Sequence, residues 1–142
     1  RGRPGMEQSI YARSETVFDK SAFEGVGRAV IPVNGWYEWT GEKRKKTAWR
    51  IASNEHGFLY FAAITDVWTA PGGLRVPQVA AVTCAPNADV APIHHRMGVL
   101  LERDDLPVWM GDDLEAAKSL MVPWPEGRLE ISQARDVNWD AP

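Results

Sequence analysis

The chain has 142 residues, 44% of them hydrophobic and 25% charged, with a formal net charge of −3. That length fits one domain with an ordinary core, and the charge excludes an all-round basic coat while leaving room for a local basic groove. No apolar run nears the roughly 20 residues of a membrane span, no basic-then-apolar leader opens the chain, and the single cysteine, Cys84, excludes an internal disulfide or a cysteine-based zinc site.

In chain order, residues 1–10, with Gly2, Pro4 and Gly5, read as a loop. Residues 15–24 have helical turns, with Ser14 or Ser21 as candidate caps. Residues 28–33 form a short apolar strand whose Pro32 suits an edge or a bulge. Residues 35–40 and 47–52 flank Gly41-Glu42-Lys43-Arg44-Lys45-Lys46 and read as a hairpin with a basic tip. Residues 58–65 and 78–84, β-branched and aromatic, read as central strands. Residues 99–101 make another short strand. Residues 104–109 and 112–121 read as helices, the second opened by acidic residues that suit its N-terminus. Residues 129–132 make a last strand. Many strands, few helices and no βα alternation predict an α+β fold with a mostly antiparallel sheet.

Three stretches concentrate the chemistry: Tyr11-Ala12-Arg13-Ser14-Glu15-Thr16, Gly35-Trp36-Tyr37-Glu38-Trp39 and Ile93-His94-His95-Arg96-Met97. In a strand, Trp36, Glu38 and Thr40 share one face. A carboxylate among large aromatics loses solvation, which raises its pKa and equips it for proton transfer near neutrality; a solvated Glu on the outer face is the plainer reading. Adjacent histidines in extended chain point opposite ways, so His94 and His95 do not read as a metal pair, and no zinc spacing is present. An imidazole beside Arg96 fits proton transfer next to an anion; a polar loop is the plainer reading. Arg13, just before a helix start, fits either a phosphate contact or an ion pair with Glu15. The basic tip at 43–46 fits a solvated turn or a nucleic-acid backbone contact. Cys84 closes an apolar strand and reads as an inert buried thiol. Seven tryptophans are many for this length, and each fits either the core or a stacking surface.

The segments YARSETVFDKSAF, IPVNGWYEW, VAAVTCAPNADVAPIHHRM and GVLL, in that order, resemble the SRAP family, the SOS-response-associated proteins that capture abasic sites in single-stranded DNA. The resemblance spans roughly residues 10–110. It implies a strongly curved, barrel-like sheet and abasic-site processing by a covalent DNA–protein crosslink. Glu38 and His94 would be the catalytic proton carriers. Arg13 and Arg96 would hold phosphates, and Thr83, Tyr11 and Trp39 would line the DNA groove. In the family an N-terminal Cys, exposed by removal of Met, attacks the ring-opened sugar and ends as a thiazolidine. The resemblance implies single-stranded DNA with abasic sites as the partner; no cofactor, metal or membrane partner is expected, and with neither a span nor a leader the cytoplasm is the default expectation. Three departures stand out. Tyr11 replaces the family's Asn, Gly98 replaces the Pro after Met97, and the chain opens on Arg1 without the Cys-bearing segment. The expectation is therefore a single domain, 1–142, incomplete at its N-terminus. Two alternatives stay open: a non-covalent single-strand-binding module that lost the nucleophile, and a cysteine-type autopeptidase or hydrolase.

Overall fold

A computed structural model of the chain describes residues 11–18, 27–55, 57–135 and 137–139. The fold is α+β and mainly antiparallel; among the described residues it is built on a six-stranded and a three-stranded sheet, neither of them closed. Strand β1 (Tyr11–Arg13), β2 (Gly27–Val33), β5 (Leu59–Thr69) and β6 (Arg75–Cys84) make the larger sheet in the order β1-β6-β5-β2, completed by β7 (Met97–Gly98) and β8 (Leu100–Leu101). Strands β3 (Trp36–Thr40), β4 (Thr47–Ser53) and β9 (Leu129–Gln133) make the smaller one.

The expected strands form, some with moved ends. Strand β2 lies at the sheet edge, where Pro32 costs no ladder bond. The central hairpin is longer than the sequence suggests. Strand β5 runs on to Thr69 and β6 starts at Arg75, joined by a turn in which Gly72 and Gly73 take φ of 93° and 94°. Pro77 sits on a stretch of β6 that β1 does not reach. Strand β1 carries no strand signal of its own. Its three residues are held by parallel pairing with Ala81, Val82 and Thr83, the one parallel pair among the described residues. Ser14–Phe18 form a turn; the rest of the helix expected at 15–24 lies outside the described residues.

The helices are shorter than expected. After a 3₁₀ turn at Arg103–Asp105 comes α1 (Leu106–Trp109), and then α2 (Leu114–Lys118). Asp113 caps α2, accepting the Ala116 N–H at 3.1 Å. Trp109 is fully buried, and its indole N–H donates to the Ala29 carbonyl at 2.8 Å, pinning α1 to β2. The core continues through Ile51, Ile64, Met97, Val99 and Leu101. Trp36 on β3 meets Phe61 on β5 edge-to-face at 5.2 Å, so the two sheets share it.

The feature that builds the site is a fork. Strands β5 and β6 pair as far as Ala63 and Ala81 and then part. Residues 97–101 fill the gap: β7 pairs with Thr83–Cys84 and β8 with Tyr60–Phe61. Between them, the Val99 N–H donates to the Val82 carbonyl at 2.8 Å, and the Val99 carbonyl accepts from Ala62 at 2.9 Å. This wedge fixes the residues just before it, His94 to Arg96. It also explains Gly98. A Cβ there would lie 2.1 Å from the Phe61 ring, so the ring fills the space a side chain at 98 would need. Gly98→Ala is expected to cost about 1–3 kcal/mol by overpacking, and Phe61→Leu in the same chain should return much of it, as read by urea unfolding of the single and double variants.

Candidate functional site

A cavity of about 390 Å³ opens where β3, the end of β1 and the loop before β7 meet. Its floor is apolar, made by Trp36, Phe61, Ala81, Met97 and Gly98. Its walls carry Tyr11, Arg13, Tyr37, Glu38, Thr83, His94, His95 and Arg96. Four of the expected site residues, 13, 38, 94 and 96, therefore converge from three distant segments. A larger groove of about 530 Å³ beside the β5–β6 hairpin has no imidazole among its described lining residues.

Glu38 and His94 face each other with Oε2 3.8 Å from Nε2. Alternation along β3 turns Glu38 toward Trp36's side of the sheet, and its side chain is 23% exposed. Burial there raises the Glu38 pKa above the ordinary carboxylate value, with the nearby His94 and His95 pulling the other way. The His94 ring is held from behind by Arg96. Its Nδ1 lies 3.1 Å from the Arg96 N–H and 3.0 Å from the Arg96 carbonyl oxygen. Where Nδ1 accepts from the Arg96 N–H, the neutral ring carries its proton on Nε2, facing Glu38; where Nδ1 carries the proton, it donates to the Arg96 carbonyl, so one peptide segment offers a partner to Nδ1 in either form.

His95 departs from the expectation for neighbouring histidines. Its ring stacks on His94 at 4.5 Å and 28°. The chain turns through 91–93 instead of running extended, so both imidazoles reach the same side.

Arg96 is the most committed group of the cavity, with a side chain only 14% exposed. Its guanidinium donates bidentately to Glu15 at 2.7 and 2.8 Å. It also donates to the Thr83 carbonyl at 2.8 Å and approaches the Thr83 hydroxyl at 3.2 and 3.3 Å. Arg13 is the open one. Its side chain is 65% exposed, and it donates to Glu15 at 3.3 Å. Glu15 itself is held well below the usual carboxylate range, mainly by Arg96 and then by the Ser14 hydroxyl. The sequence suggests the Arg13–Glu15 pair but gives no signal for the Arg96–Glu15 pair, whose members are 81 positions apart.

Tyr11 and Thr83 line the cavity beside Arg13. Trp39 does not. It projects from the other face of β3 and gathers with Tyr37 and Trp139, at 6.5 and 5.3 Å. Tyr37 also touches Trp139, at 4.9 Å, and lines the cavity, so this exposed aromatic cluster adjoins the cavity mouth. The basic tip at 43–46 is exposed and lies beyond the cavity, at the far end of β3. Cys84 is buried, and burial pushes its thiol up to about 11, so it stays protonated and unreactive near neutrality. Among the described residues no three His, Cys, Asp or Glu side chains gather as metal ligands, and no helix is long and apolar enough to cross a membrane.

The fold and these motifs define a family, and the family model for the SOS response associated peptidase (SRAP) matches residues 3–138. The chain belongs to the SRAP family. Among its relatives is the abasic site processing protein YoaM of Bacillus subtilis, 28% identical over 135 residues that cover 90% of this chain and 60% of the relative. Another is the abasic site processing protein HMCES of Gallus gallus, 28% identical over 116 residues, covering 66% of this chain and 34% of that one. A crystal structure of a protein from Bacteroides thetaiotaomicron superposes with a TM-score of 0.83 at 23% identity, over 92% of this chain and 60% of that one. One from Bordetella bronchiseptica gives 0.79 at 20% identity, over 88% and 64%. The chain thus spans about 60% of the length of its Bacillus relatives.

Proposed function

We propose that this chain is the proton-transfer and DNA-holding part of an abasic-site processing protein acting on single-stranded DNA. The observation that carries the reading is the Glu38–His94 pair, 3.8 Å apart in one cavity with a guanidinium at its mouth. An abasic sugar is a cyclic hemiacetal flanked by phosphates. Opening it removes the proton of the C1′ hydroxyl, breaks the bond from C1′ to the ring oxygen, and delivers a proton to that oxygen. A carboxylate of raised pKa beside an imidazole can carry both protons. The apolar floor suits the sugar face, and the outer donors of Arg13 suit a flanking phosphate. Arg96, anchored by Glu15 and Thr83, supplies positive charge from deeper in the wall.

The family resemblance implies the next step. The amine of an N-terminal Cys attacks the aldehyde carbon, water leaves, and the thiol sulfur closes on the imine carbon to give a thiazolidine. Cys84 does not fit that role, because its thiol is buried and it carries no free α-amine. The same burial weighs against a peptidase that uses Cys84. A single domain acting in the cytoplasm, without metal or cofactor, completes the proposal.

Binding tests it. The chain is expected to bind a single-stranded oligonucleotide carrying an abasic site more tightly than a blunt duplex, as read by fluorescence anisotropy. Arg13→Ala should weaken that binding and flatten the slope of log affinity against log salt by about 0.7, one single-strand phosphate contact. Equal affinity for duplex, or an unchanged slope, would count against the reading.

A further inference from the structure

The group that organises the cavity is one the acid–base pair does not use. Glu15 sits in the turn after β1, and each of its carboxylate oxygens accepts two hydrogen bonds. Oε1 takes the Ser14 hydroxyl at 2.7 Å and Arg96 Nη2 at 2.8 Å. Oε2 takes Arg96 Nη1 at 2.7 Å and Arg13 Nη2 at 3.3 Å. The opposite side of the Arg96 guanidinium is clamped on Thr83, the residue that β1 and β7 both pair with. The backbone of Arg96 in turn holds His94 Nδ1 from behind. A continuous line of contacts therefore runs from Glu15 through Arg96 to His94 and on to Glu38.

We propose that Glu15 is the positioning residue of this site, holding Arg13 and Arg96 side by side and, through the Arg96 backbone, fixing the ring of His94 against Glu38. The physical case has two parts. Two guanidiniums on one wall repel each other, and a carboxylate between them removes that repulsion while setting their spacing. A bidentate carboxylate–guanidinium pair also has one preferred orientation, which a monodentate or neutral partner lacks. Glu15 is ionised throughout the neutral range, because Arg96 and Ser14 hold its pKa far down. The clamp is therefore permanent and does not switch with pH near neutrality.

Glu15→Gln provides a test whose sign is informative. Removing a negative charge beside a phosphate site should, by charge alone, tighten binding to a polyanion. Positioning gives the opposite sign: affinity for an abasic-site single strand should fall about tenfold, because the arginines lose their spacing. Tighter binding would mean that Glu15 competes with phosphate for Arg96, and would overturn the proposal, as would unchanged affinity. This arm rests on the abasic-site reading, so a second arm does not use DNA. Long-range proton–nitrogen correlation of the imidazoles should show a single tautomer of His94 in the parent, and a mixture of tautomers in Glu15→Gln. A His94 signal identical in both proteins overturns the proposal whether or not any oligonucleotide binds. If Glu15→Gln does not fold by circular dichroism, Glu15→Asp replaces it in both arms. It keeps the charge, but its carboxylate is one methylene too short to reach both arginines, so the same losses are expected and their absence is equally damaging.

Discussion

Replacing Glu38 by Gln is expected to slow reaction with an abasic-site oligonucleotide by about 10²–10⁴-fold, the usual contribution of general acid–base help. The assay needs a nucleophile, so it is run on a protein that carries this chain behind an amino-terminal, Cys-bearing segment from a family relative, reading a heat-stable adduct on a denaturing gel. Gln keeps the shape of Glu38 but cannot act as an acid or base near neutrality, so binding of the single strand should change little while adduct formation slows. A loss of binding of the same size would move Glu38 from proton transfer to substrate holding.

The same variant has a stability signature of opposite sign. The folded pKa of Glu38 is raised, chiefly by burial. The folded state therefore holds the proton more tightly than the unfolded chain does, and the charged form costs stability once pH rises above the unfolded value. Glu38→Gln should then be more stable than the parent at pH 7, with the difference closing as pH falls from the raised folded value to the ordinary Glu value. Glu15 behaves in the reverse way. Its lowered pKa gives stability that is present above the unfolded value and lost in acid. Urea midpoints should therefore show Glu38→Gln losing its advantage as pH falls from 7 toward the ordinary Glu value of 4.5, and Glu15→Gln losing its deficit only below that value.

The largest effect on folding is expected at Trp109, away from the cavity. Trp109→Ala should cost about 3–5 kcal/mol, a large share of the roughly 5–15 kcal/mol that holds an ordinary domain together. The indole is fully buried and contacts Phe18 at 6.2 Å between ring centroids, and its N–H satisfies the Ala29 carbonyl on edge strand β2. Truncation would leave a cavity and remove the indole hydrogen bond to Ala29. Trp109→Phe should recover part of the packing but not the hydrogen bond to Ala29, so its cost should lie between zero and that of Trp109→Ala. A cost below about 1 kcal/mol for Trp109→Ala, by urea unfolding with an unchanged slope, would mean that α1 does not close the core.

Much of this was legible in the chain and some was not, for identifiable reasons. The β3–β4 hairpin follows from alternation, because Trp36, Glu38 and Thr40 must share a face, and its register pairs Glu38 with Trp49. Strand β1 was invisible because three residues carry no period; its pairing with Ala81–Thr83 is a tertiary fact. The helical stretch read at 112–121 shortens to Leu114–Lys118, since Pro123 and Pro125 follow closely and only one turn of α2 finds a cap. Convergence of Arg13, Glu38, His94 and Arg96 was anticipated from motif chemistry. The Glu15–Arg96 clamp was not, because an ion pair between residues so far apart leaves no mark in local sequence. The departure at Gly98 is explained by the Phe61 ring beside it, which no reading of residue 98 alone would reveal.

The most direct measurement is a structure of the chain with a single-stranded oligonucleotide bearing a tetrahydrofuran abasic-site mimic. The expected result places the sugar ring in the cavity floored by Trp36 and Phe61, within hydrogen-bonding reach of both the Glu38 carboxylate and His94 Nε2, with a flanking phosphate on Arg13. A strand bound elsewhere on the surface, or a sugar that leaves Glu38 and His94 untouched, would contradict the assignment of this cavity as the site of abasic-site chemistry.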